Sequence, residues 1–394
     1  MSWQKTSVMK EKERFVKMWE SGAYVFSSLC ESFGISRTAG YKLINLYKTH
    51  GESIFEGRSK RPLKIPHKTP LKIEKAIVEL RKKYTNWGAR KIRKLLEVDF
   101  GKKEIPSETT VNAILKRNGL IKKRRRRVGK EGRLNPKFDP QECNEIWSSD
   151  YKGHFKMLNG RYCYPLTVCD SKSRLILGIS CHYRATYVSV KQSYIKLFRE
   201  YGLPEYMHTD NGSPFGNIQA VCRFTRLCYW LVDQGVLPVF SDPGCPQQNG
   251  RHERMHKDLK AYSKPRKATT LSKQQEVMDR FREEYNGIRP HESLDLQTPL
   301  AVHKRSNREY RERKIDYDYP SDYKVYKVTK SGAIRWGAFH WVFISQAAIK
   351  RYIGVEEIGN GIWNVYYRNV LLGCFDEKLL SAKEQYLRLY KIKV

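Results

Sequence analysis

The chain has 394 residues, with 75 Lys+Arg against 41 Asp+Glu, a formal net charge of +34 and 12% aromatic residues. That length has room for about two to four domains with cores of their own, and the aromatic content excludes a merely basic disordered tail. The charge points to a polyanion as partner, nucleic acid ahead of an anionic membrane surface, while the lack of an apolar run near the ~20 residues of a spanning helix, or of a signal-peptide core, points to the cytoplasm and away from membranes.

Residues 1–139 hold 35 Lys+Arg and 14 Asp+Glu, a net +21, and the other 255 residues share +13. The N-terminal third is therefore the expected DNA-holding part. "KEKERFVKMWES" sets Phe15, Met18 and Trp19 at helical spacing before Gly22. "SSLCESF" is a second short helix. Gly34 then supplies a left-handed turn, Ser36 an N-cap, and "RTAGYKLINLYK" a third helix burying Leu43, Ile44 and Tyr47. Helix, glycine turn and capped helix predict a helix-turn-helix over residues 1–56. Arg37, Thr38, Tyr41 and Lys42 lie at the start of its second helix, the end that enters a major groove.

The stretch 57–70, with three prolines, reads as a linker. A second helix-turn-helix is expected over 71–121, with apolar stripes Ile73, Ile77, Leu80, then Ile92, Leu95, Leu96, then Val111, Ile114, Leu115 behind the N-cap Ser107. A basic linker, 122–139, opens with Lys122, Lys123, Arg124, Arg125, Arg126 and Arg127. Such a run repels itself and suits an extended arm along phosphates; a solvated linker or a nuclear localisation signal has the same sequence.

From residue 146 the period changes. "IWSSDYKGHFKML" and "RYCYPLTVCD" read as strands flanking the turn Asn159-Gly160, and "RLILGISCH" as a third. Helix, strand, helix, strand and helix follow, so a mixed sheet covered by helices is expected over 140–304. Asp150 lies in the first strand, where an unpaired charge is costly unless it pairs or ligates. Asp210 ends the fourth strand before the turn "NGSPF". Glu253 stands alone among bases in "NGRHERMHKDLK"; 59 residues separate the first two acids and 42 the last two. Lys257 and Lys260 follow Glu253 at i+4 and i+7, on one helical face. An i,i+4 salt bridge between Glu253 and Lys257 is the plain alternative. Asp170 in "CDSKSR" reads as a partner of Arg174 rather than a further ligand. Nine cysteines without a CxxC pair read as reduced core thiols, not a zinc site.

"WSSDYKGHF", "HTDNGSPF", "PGCPQQNGRHERMHKDLK" and "YNGIRPHESLDLQTP", in that order, resemble the motif blocks of DDE transposases of the insertion-sequence type, which have a retroviral-integrase-like catalytic core. The resemblance implies a ribonuclease H-like core in which Asp150, Asp210 and Glu253 are catalytic and bind two Mg²⁺ ions, with Mn²⁺ able to substitute. It implies double-stranded DNA as partner (element ends and target), cleavage by metal-activated water, strand transfer by the freed 3′-OH, and at least a dimer on DNA. Gln248, Asn249, Arg251, Lys257 and Lys260 would contact DNA near the cut bond. The interval before Glu253 is longer than the family's usual one, which assigns the extra residues to a lengthened "CRFTRLCYWLVDQG" helix. Helix-turn-helix units stand where retroviral integrases carry a zinc module.

Five short alternating runs after the charged linker 305–314 predict a small β-barrel over 315–394, similar to the SH3-like end domain of related integrases, with Trp336, Trp341 and Trp363 in its core. The expected architecture is thus multidomain: all-α helix-turn-helix units, a central α/β ribonuclease H-like core with a mixed sheet, and a C-terminal small β-barrel. Two other functions share much of this pattern. A DNA-binding regulator with an inactive core needs the basic helical units but not three carboxylates in frame, and a nuclease without strand transfer needs no site-reading units.

Overall fold

The computed structural model describes residues 7–56, 68–121, 139–217, 220, 223–242, 250–312, 316–380 and 385–390. The chain divides into two compact units, Met1–Pro70 and Leu71–Val394.

In the first unit, α1 (Val8–Glu20), α2 (Phe26–Ser32) and α3 (Arg37–His50) surround Phe15, Val16, Leu29, Cys30 and Ile44. Gly34 takes φ 63°, and the Ser36 side chain accepts the Ala39 N–H, so the turn and the N-cap fall where the sequence puts them. Gly40 is buried, and a Cβ there would meet Cys30 Sγ at 2.8 Å, so α3 closes on α2 only because the residue is glycine.

The second unit opens with α4 (Leu71–Lys83), α5 (Ala89–Phe100) and α6 (Glu108–Arg117), whose shared core holds Ile73, Ile77, Ile92, Leu96, Val111, Ile114 and Leu115. Next comes a mixed sheet: β1 (Ile146–Tyr151), β2 (Phe155–Lys156), β3 (Tyr162–Asp170), β4 (Ile176–His182), β5 (Tyr206–Thr209) and β6 (Leu237–Phe240). Strand β1 pairs antiparallel with β3 on one side and parallel with β5 on the other. β4 flanks β3, and β6 runs parallel to β5. The long first run of the sequence breaks into β1 and the two-residue β2, with Gly153 at φ 81° between them.

Alternation along the strands gives each face its own core. Trp147, Leu166, Val168, Leu177 and Met207 pack on one face with α7 (Tyr187–Tyr201) and α8 (Arg226–Asp233). Cys163, Cys169, Ile176 and Ile179 pack on the other with α9 (Gly250–Ser263) and α10 (Leu271–Glu283). The edge strand β4 is not left open. Gln275 and Arg282 of α10 bond the backbones of Ile179, Cys181 and Leu177, and Asn286 donates to and accepts from Ile176 at 2.9 Å. Helix α10 and Asn286 of the fourth motif block thus supply the polar side chains that seal a sheet edge, which otherwise invites wrong pairing.

Two expectations are corrected. The helix expected to hold "CRFTRLCYWLVDQG" (222–235) spans only Arg226–Asp233; before it, Gly216 and Phe224 form an antiparallel bridge. The extra residues before Glu253 therefore do not lengthen a helix. The reason lies in the backbone just before α8, where Arg223 takes φ 61°, a left-handed conformation that interrupts a helix, and its carbonyl accepts the Asn217 N–H. The C-terminal part holds seven strands rather than five: a four-stranded sheet of β7 (Lys324–Lys327), β10 (Tyr352–Gly359), β11 (Ile362–Tyr367) and β12 (Val370–Asp376), and a three-stranded one of β8 (Ala333–Trp336), β9 (His340–Phe343) and β13 (Tyr386–Arg388). Among the described residues only the bridge Cys374–Tyr390 joins the two, and no ladder closes a barrel. β7, β8 and β9 carry four residues each, so the sheets are held by side chains instead. Trp336 and Trp363 meet edge to face at 4.8 Å in that core, while Trp341 is half-buried.

That core is not separate from the central one. Cys228, Tyr229 and Val232 of α8 pack into it, and the buried Asp233 is ion-paired with Arg351 and Arg368 and accepts from Tyr367 Oη. α8 is apolar all round because it is covered from both sides.

Candidate active site

Asp150 is the fifth residue of β1, on the face opposite Trp147, Ser149 and Tyr151, and so points toward α9. The parallel ladder of β1 with β5 ends at Ser149–Thr209, so the next residue of each strand is an aspartate: Asp150 and Asp210 leave adjacent parallel strands side by side. The Asp210 turn is tied down. Its Oδ1 accepts Gly212 N–H at 3.1 Å, and Asn211 reaches the Ser241 carbonyl at 2.8 Å beyond β6. Glu253 projects, exposed, from the first turn of α9.

The electrostatics tie these acids together. Burial, then Asp210, push the Asp150 carboxyl up to about 7, with Glu253 adding to the rise. Burial raises Asp210 as well. Lys152, partly buried just beyond β1, feels both Asp150 and Lys260; burial lowers its pKa. Carboxylates that destabilise one another at a sheet end, with one lysine between them, form a donor set suited to hard cations, which take oxygen ligands. Among the described residues, the group of three whose candidate ligand atoms all lie within 4.8 Å is a different one, Cys143, Asp170 and His303.

Asp170 is not paired with Arg174 as expected. It is fully buried and accepts from the backbone N–H of Asn144 (2.9 Å) and Ser173 (2.8 Å), with His303 Nδ1 at 3.7 Å. Burial alone would raise its pKa, but the bonds from His303, Ser173 and Asn144 prevail and hold it below the ordinary value. Those donors satisfy both oxygens, so the group is a fold clasp.

Lys257 and Lys260 are exposed on α9 alongside Glu253. Arg251 is exposed too, but it holds Asp139 at 2.8 Å and must leave it to reach DNA. Arg37, Thr38, Tyr41 and Lys42 are all exposed at the start of α3, with the Tyr41 ring 4.2 Å from Phe26. Lys122, Lys123, Arg124, Arg125, Arg126, Arg127, Gln248 and Asn249 lie outside the described residues. Sequence reasoning missed Lys152, although the period-2 rule puts it on the same side as Asp150. It also missed two buried groups behind the acids, Thr167 and His256, and gave a third, His252, no part in holding the fold. A histidine at i−1 and another at i+3 from Glu253 was the available signal, since those positions flank it on one side of a helix.

Residues 140–246 and 234–299 match the integrase core domain family. The chain is 26% identical over 223 residues to an uncharacterized 39.2 kDa protein of insertion element IS476 from Xanthomonas euvesicatoria, covering 55% of this chain and 60% of that protein. It is 25% identical over 225 residues to an uncharacterized 31.7 kDa protein of insertion element IS407 from Burkholderia multivorans, covering 57% of this chain and 77% of that one. Among solved structures, the HTLV-2 integrase catalytic core domain in complex with magnesium is 16% identical over 42% of this chain and 100% of its own, with a TM-score of 0.34. The simian T-cell lymphotropic virus intasome in complex with PP2A regulatory subunit B56 gamma is 15% identical over 75% of this chain and 97% of its own, with a TM-score of 0.36. The integrase core domain matches within residues 140–299 and the likeness to insertion-element proteins support the resemblance of its four motif blocks to DDE transposases of the insertion-sequence type.

Proposed function

We propose that the chain is a DNA transposase that binds the ends of a mobile element, cuts one strand with water and joins the freed 3′-OH to target DNA. Asp150, Asp210 and Glu253 are the catalytic carboxylates and would hold two divalent ions, Mg²⁺ with Mn²⁺ as a substitute. The observation that carries this is the convergence of two strand ends and a helix on one point, where Asp210 and Glu253 both act against ionisation of Asp150. Divalent cations, when bound, supply charge stabilisation at the attacking and leaving oxygens of a phosphodiester.

The chain's own groups do the rest. Asp150 and Asp210 approach from the sheet and Glu253 from the solvent side of α9, so the outward face stays free for DNA. Lys257, Lys260 and Lys152 bind phosphates beside the cut bond, and Arg251, Gln248 and Asn249 contact DNA near it. Arg37, Thr38, Tyr41 and Lys42 read the element end in a major groove, and Lys122 to Arg127 follow its backbone. The helical segments 1–56 and 71–121 act as the DNA-reading domains, 140–304 as the catalytic one and 315–394 as the C-terminal one. Holding two ends at once asks for at least a dimer.

The test is joining of labelled element-end DNA to target in Mg²⁺ or Mn²⁺, with Glu253→Gln alongside. Joined products from the wild type alone support the reading. Joining by both proteins removes Glu253 from it, and tight specific binding with no cleavage in either metal favours the regulator instead.

A further inference from the structure

Thr167 sits in the middle of β3, directly opposite Asp150 in the β1–β3 ladder, and is fully buried. Its hydroxyl lies 2.9 Å from the Asp150 carbonyl oxygen and 2.7 Å from Nε2 of both His252 and His256. These three bonds decide where the protons are. A carbonyl oxygen only accepts, so the one Thr167 proton is donated to Asp150. The hydroxyl's two lone pairs then accept, and each imidazole must carry its proton on Nε2. One buried oxygen is thereby saturated by three partners from β1 and α9.

His252 and His256 flank Glu253 on α9, and their rings meet edge to face at 4.6 Å. The other buried residues of α9 are the apolar Met255 and Leu259 and, at its C-terminal end, Ser263. Apolar contact excludes water but tolerates small slides, whereas a shared hydrogen-bond centre does not. Because each Nε2–H is spent on Thr167, His256 Nδ1 has no proton to give Asp150 Oδ2, 3.8 Å away. The network therefore holds the strand of Asp150 without neutralising its carboxylate.

We propose that Thr167, His252 and His256 are positioning residues that fasten α9 to β3 and set where Glu253 stands relative to Asp150. This rests on the reading of both acids as metal ligands. None of the three positioning residues touches substrate in this role; they act through the two carboxylates.

The test uses the full chain, ¹⁵N-labelled at histidine, with Thr167→Val (same shape, no hydroxyl), Thr167→Ser and Glu253→Gln. In the metal-free wild type, both histidines should show the Nε2–H tautomer. Thr167→Val should lose that signature and raise the Mg²⁺ midpoint of thermal stabilisation by about 10-fold or more, as loss of a group that orients a ligand does. Thr167→Ser should keep both. A wild-type midpoint in Thr167→Val, or Nδ1–H tautomers in the wild type, overturns the proposal. If Thr167→Val fails to fold, the pair His256→Gln and His256→Leu decides: Gln retains a donor at that place and should keep the midpoint, Leu should not, and equal midpoints overturn it. A wild type without a Mg²⁺ response that Glu253→Gln removes overturns the carboxylate reading instead, while the tautomers still judge the network.

Discussion

Replacing Asp150 by asparagine should make the metal-free protein more stable at pH 8. Asp150 is held at about 7 in the fold against an ordinary value of 3.8, and its side chain is 23% exposed. The folded state keeps its proton where the unfolded chain has lost it, so the stabilisation is complete below the unfolded value and disappears as pH rises through about 7. Each unit of displacement corresponds to about 1.4 kcal/mol, so ionising this buried group costs the native state up to about 4 kcal/mol at pH 8. Asparagine has nearly the same shape and carries no charge to bury. Denaturant unfolding in EDTA should therefore show Asp150→Asn ahead by about 2–4 kcal/mol at pH 8 and level with the wild type near pH 4. Mg²⁺ should raise the wild type at pH 8 and leave the variant unmoved. A variant less stable than wild type at pH 8, or one that gains as much from Mg²⁺, would refute the argument that repulsion and burial at this carboxylate await a cation.

Three further outcomes follow from other parts of the chain. Asp233→Ala removes the buried anion that Arg351, Arg368 and Tyr367 surround and leaves the half-buried Arg351 guanidinium without its carboxylate; it should cost about 3–5 kcal/mol, and limited proteolysis should cut first in the C-terminal sheets. Gly40→Ala should destabilise the first unit by about 1–3 kcal/mol through the clash with Cys30 and Phe26, visible as a lowered first transition in calorimetry, with no change in the second. Lys257→Ala and Lys260→Ala should each weaken DNA binding regardless of sequence and reduce the slope of log K against log salt by about 1, whereas Arg37→Ala should lose discrimination between the element end and random DNA.

The two helical units were legible because their signals are local. A glycine at the left-handed turn, serine caps at Ser36 and Ser107, and apolar stripes at helical spacing depend on neighbours a few residues away, and all reappear in the fold. The strands β1 and β3 to β6 were legible for the same reason. What failed to show was long-range. Nothing near Phe224 indicates that α8 is covered from its far side by strands more than a hundred residues later, or that Arg223 turns left-handed before it, so the stretch 222–235 looked like one longer helix. The C-terminal runs announced strands, but which strand pairs with which, and whether the ladder closes, depends on lengths of four residues that alternation does not resolve.

The site divides along the same line. Asp150, Asp210 and Glu253 stand out in sequence because a charge at a strand end, or alone among bases, is locally anomalous. Thr167, His252 and His256 are not anomalous: a threonine in a strand and histidines in a basic helix are ordinary in their surroundings. They become informative only when 85 and 89 residues of separation collapse to 2.7 Å on a single hydroxyl. On the proposed reading the carboxylates set what the site would hold, and a hydrogen-bond centre behind them, unreadable from either segment alone, would set how closely they are held. A substitution at Thr167 should therefore move metal affinity while leaving every carboxylate in place, an effect that a motif of three acids does not predict.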